Sequence, residues 1–322
     1  MLVLESNLIN LYLYTAVLVH PLIAIAGLIG NILSVRMLIK SGLDKSSNIL
    51  LLSLCVADSF CLISALNIPN IITFFPGKRP FGYNLWEYSM EASFILYVLA
   101  ITFQICFFFG TQLSSTLVTL ITVERFLAVF FPLHFKIIVT KKRTWLVVIL
   151  SYILWLPYPV YLATCYRFFY FYYPMWDVYA GGPILIYNSV MDFIERNIVS
   201  PIAVYIPFMI VTVGSLLIAV RVRLTMVKRQ AMVSSQRSLK TSRTTRTLLT
   251  VCVVFSVTKI VSLMSFFIDL TQSASDVDVY LRLYLGIIVS LIDYLNASSN
   301  FIIYLILNDR FRKIAKEIVK CN

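Results

Sequence analysis

The chain has 322 residues, of which 60% are hydrophobic and only 13% charged, with a formal net charge of +12. Soluble proteins carry roughly 25% charged residues, so these charges are too few to cover a water-facing surface, and the pair of soluble domains usual at this length is excluded. Lipid is the solvent that suits such a chain, and the basic excess is assigned to loops rather than to binding of nucleic acid.

In chain order, segment 1–13 carries Glu5 and has no basic region. It does not resemble a cleavable secretion signal and is expected to be an extracellular N-terminus. Crossing a hydrocarbon layer of roughly 30 Å takes about 20 apolar residues. Seven segments meet that length: Tyr14–Ile39, Asn48–Phe74, Ser93–Val129, Trp145–Tyr166, Ile198–Val220, Thr247–Leu270 and Leu281–Leu307. The third is too long to lie wholly in the membrane, so its ends are expected to project. Segment 221–246 reads as a third cytoplasmic loop, polar and rich in Ser, Thr, Lys and Arg. In it, Ser234, Ser235, Ser238, Thr241 and Ser242 lie among basic residues and are weak candidates for phosphorylation.

Segment 308–322 reads as a cytoplasmic eighth helix and tail. Over Asp309–Lys320 its bases lie opposite Phe311, Ile314, Ile318 and Val319, which suits a helix lying on anionic lipid. Cys321 just beyond is a candidate for palmitoylation, with a plain free thiol as the alternative. No span shows the strict alternation of barrel strands, so helices are left to satisfy the backbone in lipid. The expected fold is an all-α membrane protein. One domain, 1–322, forms a seven-transmembrane helix bundle with a short amphipathic eighth helix.

The basic residues set the orientation. Of 27 Lys and Arg, 21 fall in the loops and tail on the side of Arg36, Lys141 and Arg310, five fall on the other side, and Lys259 lies inside the sixth span. Basic loops stay in the cytoplasm. The C-terminus is therefore expected inside and the N-terminus outside, at the plasma membrane.

The six cysteines are scattered, and the two histidines, His20 and His134, lie near segment ends. No CxxC pair, His/Cys cluster or nucleophile–base pair appears, so neither a zinc site nor an enzyme is expected. Inside the spans, by contrast, stand Asp58, Lys259 and Asp293. Ionisable groups at that depth are costly and usually functional.

The order of the remaining motifs is more specific than any one of them. Asn31 follows Gly30 in the first span, and LSLCVAD ends at Asp58 in the second. SSTLVTLITVERFLAVFFPL runs from Ser114 to Leu133, and LNASSNFIIYLILNDRFRK from Leu295 to Lys313. In this arrangement the whole chain resembles the rhodopsin-like G-protein-coupled receptors.

The resemblance implies roles for several residues. Asn31, Asp58, Ser114, Asn296 and Asn300 match a mid-membrane polar cluster that holds sodium or water. A carboxylate among hydroxyls and amides suits a hard cation, and a hydrogen-bonded polar core without an ion is the alternative. Apart from that sodium ion, no cofactor is expected. Glu124 and Arg125 match the restrained arginine that meets the G protein, Tyr304 the tyrosine that moves inward with Asn300 nearby, and Phe311 the aromatic that seats the eighth helix. The implied cytoplasmic partners are a heterotrimeric G protein, arrestin and receptor kinases.

The chain also departs from the family pattern. Phe301 stands where the seventh span usually has proline, and it cannot kink the helix in the same way. FSVTKIVSL replaces the usual sixth-span motif: Phe255 is retained, while Lys259 takes the tryptophan position and Val261 the proline position. Pro207 is kept in the fifth span, and Ser215 stands where tyrosine is common. An unpaired charge at this depth is costly, so Lys259 and Asp293 are expected to pair beneath the ligand pocket. The usual outer disulfide is not expected: Ala100 takes one cysteine position, Cys106 lies too deep, and Cys165 and Cys106 read as free thiols.

The candidate ligand pocket includes Phe107, Lys259, Asp293 and Tyr294. Phe107 stands where amine receptors carry aspartate, which disfavours a monoamine. Tyr294 stands where opsins carry the retinal lysine, so no Schiff base forms there. Nine acidic residues against five basic ones on the outer side favour cationic ligands, with ordinary outside acidity as the alternative. The aromatic run RFFYFYYPMW suits either ligand contact or an interfacial belt. ITVERF, FPLHFK and VTKKRT are similar to sequences of invertebrate peptide receptors, and loss of the sixth-span motif resembles molluscan chemosensory receptors. A neuropeptide and a chemosensory small molecule are thus the two ligand classes. A transporter or channel using Asp58, Lys259 and Asp293 is the alternative function, though the repeats and broken helices of transporters are not seen.

Overall fold

Apolar runs of this length leave the backbone no partner but itself, and they fold as helices. The computed structural model describes residues 14–74, 85–174, 177–186, 188–230, 250–261, 263, 276–307 and 312, with side chains throughout except at 226–230, 276–284 and 307. Among the described residues six helices are long and apolar enough to cross a membrane: Thr15–Ser41, Ser46–Phe74, Met90–Phe130, Lys141–Cys165, Ser189–Thr225 and Leu285–Ile306. A shorter apolar helix, Thr250–Val261, holds the sixth place. The N-terminal segment 1–13, most of the third cytoplasmic loop, Phe311 and the remaining apolar face of the eighth helix, and Cys321 lie outside the described residues.

Helix ends follow local chemistry. The Ser89 hydroxyl accepts from the Ala92 amide at the start of the third span, and Thr140 caps the fourth through the Arg143 amide. The third helix is unbroken for 41 residues, about 60 Å at 1.5 Å per residue, longer than a bilayer core. The fourth breaks at Leu156, where Pro157 starts a second helix, Pro157–Cys165. That helix stops one residue short of the expected end, because Tyr166 opens a strand.

The fifth helix starts at Ser189, earlier than the expected Ile198, with its first turn capped by the Asn188 side chain. It passes through two π-helical turns, Glu195–Val199 and Pro201–Tyr205, before regular helix resumes at Ile206. A π turn misaligns backbone carbonyls, and the Ala203 carbonyl is taken up by the Ser115 hydroxyl of the third helix at 2.6 Å. The helix runs on to Gln230, into the stretch read as a cytoplasmic loop.

The outer loop after the fourth span is an antiparallel hairpin that the sequence reading does not contain. Strand β1, Tyr166–Tyr173, pairs with β2, Val178–Leu185, from Tyr166 opposite Leu185 to Tyr173 opposite Val178. Trp86, fully buried, exchanges two backbone hydrogen bonds with Gly181, at 2.9 and 3.1 Å. The Tyr97 hydroxyl donates to the Tyr166 carbonyl, and the Tyr170 hydroxyl to the Tyr88 carbonyl. These four bonds fasten the hairpin to the outer end of the third span and the loop before it.

The core lies along the third helix, which packs against the second around Ile49, Leu54, Leu113, Leu117 and Ile121, all essentially inaccessible. Small residues let backbones approach where lipid supplies no hydrophobic drive. At Gly110 a β-carbon would lie 2.9 Å from the Ala57 carbonyl oxygen and closer still to the Cys61 nitrogen. Because both neighbours are backbone, neither can yield. Gly110→Val is expected to force the second and third helices apart and cost about 1–3 kcal/mol, read as a lower melting temperature of the purified protein. Gly30 is approached as closely, here by the Phe301 side chain, which the seventh helix, continuous from Asp276 to Leu307, presses onto the first.

Candidate functional site

Three polar layers lie along the third helix. Near the inner end, Glu124 is buried and Arg125 is 16% exposed. Glu124 Oε1 accepts from Ser46 Oγ at 2.6 Å and from Ser47 Oγ at 2.9 Å. Arg125 Nη2 stands 3.4 Å from Glu124 Oε2 and also donates to Ser47 Oγ. The arginine is thus held by its neighbour and, across the bundle, by the first turn of the second helix. Ser46 and Ser47 did not emerge from the sequence. Two serines opening a helix read as caps, and nothing local tells that they face residue 124.

At mid-membrane, Asp58 is fully buried. Its Oδ1 accepts from Ser114 Oγ at 2.8 Å and its Oδ2 from Asn300 Nδ2 at 2.6 Å. Asn31 stands apart from the carboxylate and donates to the Ala297 carbonyl at 3.4 Å. Asn296 joins Asp58 and Ser114 in lining a cavity of about 10 Å³. Tyr304 is buried on the inner side of this layer.

Lys259 and Asp293 border the same small cavity. Lys259 Nζ donates to Asp293 Oδ1 at 3.1 Å, with both side chains 9% exposed. The ammonium also lies 5.8 Å from the centre of the Phe255 ring, within range of a cation–π contact.

Above this layer two cavities open between the outer halves of the helices. One, about 370 Å³, lies between the first, second, third and seventh spans and β2, and includes His20, Asn70, Gln104, Phe107 and Tyr294. The other, about 290 Å³, lies between the third, fourth, fifth and seventh spans and has Lys259 and Asp293 in its wall with Gln112 and Glu195. Phe107, Gly286 and Ser290 border both. His20 and Phe107 each meet the Tyr294 ring edge-on, at 4.9 and 5.8 Å. The outer cavity has no charged side chain among its described walls, but His20 Nε2 and Asn70 Oδ1 there, and Gln112 Oε1 in the second, are buried without a protein hydrogen-bond partner. Such groups bind water or ligand rather than remain unsatisfied.

At the outer surface the Tyr172 hydroxyl donates to Asp177 Oδ1 at 2.5 Å, which raises the phenol above its ordinary range. Burial raises Tyr166, at the hairpin base. Cys55, Cys61, Cys106, Cys165 and Cys252 are free thiols.

Residues 30–304 match the family model described as 7 transmembrane receptor (rhodopsin family). No curated protein matches the chain.

Proposed function

Because the chain belongs to the rhodopsin family of seven-transmembrane receptors, a family of multi-pass receptors rather than enzymes at the cell membrane, we propose that it binds an extracellular ligand in the two outer cavities and activates heterotrimeric G proteins through Arg125. The observation that carries this reading is the third helix itself. Phe107 borders both cavities, and the same rigid helix holds Arg125 18 residues onward, about 27 Å away along its axis. A ligand that shifts the outer half displaces the inner end, where Arg125 is restrained by groups that can release it.

Cavities of about 370 and 290 Å³ lie in or near the size range of small-molecule sites. The uncharged hydrogen-bonding groups and aromatic edges of the first, with the charged Lys259, Asp293 and Glu195 of the second, suit a compact polar molecule or the terminal residues of a peptide. The two ligand classes are therefore a chemosensory small molecule and a neuropeptide. The acidic outer surface favours a basic peptide by steering. The N-terminus lies outside the cell, and arrestin and receptor kinases act on the cytoplasmic face.

Energy-transfer sensors for several Gα classes, in cells given a peptide pool or a metabolite pool, test this. The wild type is expected to signal to one pool, and Arg125→Ala, at equal surface level, is expected to lose at least tenfold of that response. An undiminished response in Arg125→Ala would remove the arginine from the coupling path.

A further inference from the structure

In a receptor of this family the Asp58 layer is where a sodium ion would be held, so the fit of the residues present can be judged directly. The cavity beside Asp58 measures about 10 Å³, room for roughly one water molecule. A hard cation surrounds itself with about six oxygens. Both Asp58 oxygens already accept hydrogen bonds, from Ser114 and Asn300. Decisively, Lys259 lines that same cavity together with Asp293 and Asp58, so the site already holds a cation, and an entering ion would have to share a void of this size with it or displace it. The residues do not fit sodium.

They do fit an ammonium group. Lysine offers three N–H donors, and Asp293 takes one of them at 3.1 Å. The Lys259 side chain, buried, and Asp58, also buried, share the void. The Ser114 hydroxyl and the Asn300 amide each donate to an Asp58 oxygen, so that side chain has hydrogen-bond partners without a metal ion.

We propose that Lys259 is the resident cation of the mid-membrane cavity, a tethered ammonium in place of a diffusible sodium ion, which makes the resting state of this receptor indifferent to sodium concentration. A bound ion stabilises a state in proportion to the logarithm of its concentration. A cation on a side chain is covalently held at its site, so its occupancy does not vary with the sodium concentration. Of the reading above the proposal takes only the chain's place in the receptor family, and it is independent of which ligand or G protein is involved.

The test is thermal melting of the purified full-length receptor in sodium chloride against choline chloride at equal ionic strength. The wild type is expected to melt at the same temperature in both. The double variant Lys259→Ala with Asp293→Asn removes the ammonium together with its direct partner, opens its volume and leaves Asp58 as the one carboxylate lining the cavity. It is expected to gain a saturable rise in melting temperature of a few degrees in sodium, and adding Asp58→Asn is expected to abolish that gain. A sodium-dependent rise in the wild type overturns the proposal. So does a double variant as indifferent to sodium as the wild type, for then something other than the ammonium keeps the ion out.

Discussion

Lys259→Met alone and Asp293→Asn alone are each expected to remove most of the receptor from the cell surface, while Lys259→Asp combined with Asp293→Lys restores a substantial part. The two side chains meet at 3.1 Å with 9% exposure each. Removing one partner strands the other charge in a low-dielectric interior, at a cost of about 3–5 kcal/mol, a large share of the 5–15 kcal/mol that typically separates folded from unfolded protein. The exchange keeps one charge of each sign between the sixth and seventh helices and reverses only their positions. Flow cytometry of an N-terminal tag on intact cells measures it. Wild-type surface levels for Asp293→Asn would show that Lys259 needs no anion and would dissolve the pair.

Ser46→Ala with Ser47→Ala is expected to raise ligand-independent signalling about tenfold or more. The pair makes three hydrogen bonds, two to Glu124 Oε1 and one from Arg125. Bonds to charged groups contribute about 1.5–3 kcal/mol each, so even partial loss exceeds the 1.4 kcal/mol that equals a factor of ten. If the contacts exist only while Arg125 is restrained, their loss shifts the population toward the released form. Basal Gα activation at matched surface expression is the readout. Unchanged basal activity would mean that the serines support the helix start alone.

The long helices are legible in the sequence because an apolar run of twenty residues in lipid has one backbone solution. Their ends are less so. Tyr166 continues the run before it without a break in hydropathy, yet it begins a strand, because the continuous aromatic run that follows pairs with Val178–Leu185, a partner that periodicity within one segment does not reveal. Ser189 is helical because Asn188 caps the helix there, beyond the reach of a hydropathy window. Of the polar cluster, the motif order pointed to Asp58, Ser114 and Asn300, which the structure brings into direct contact. It also pointed to Asn31, whose side chain goes instead to the Ala297 carbonyl. Ser46 and Ser47 lie 78 and 77 residues from Glu124, and a contact across that span is a property of packing rather than of local pattern.

The outer hairpin is fastened by hydrogen bonds from Trp86, Tyr97 and Tyr170, while Cys106 and Cys165 remain thiols. Bonds of this kind open and close by thermal motion, one at a time, whereas a covalent tether would not. The hairpin is therefore expected to behave as a sprung shutter over the outer cavity rather than as a fixed rim. Entry and escape of a ligand bound there are then expected to be activated events with a temperature dependence of their own. A mild reductant has no bridge between these two cysteines to cut, so the shutter keeps its rhythm in reducing surroundings, where a disulfide-locked lid would fall slack.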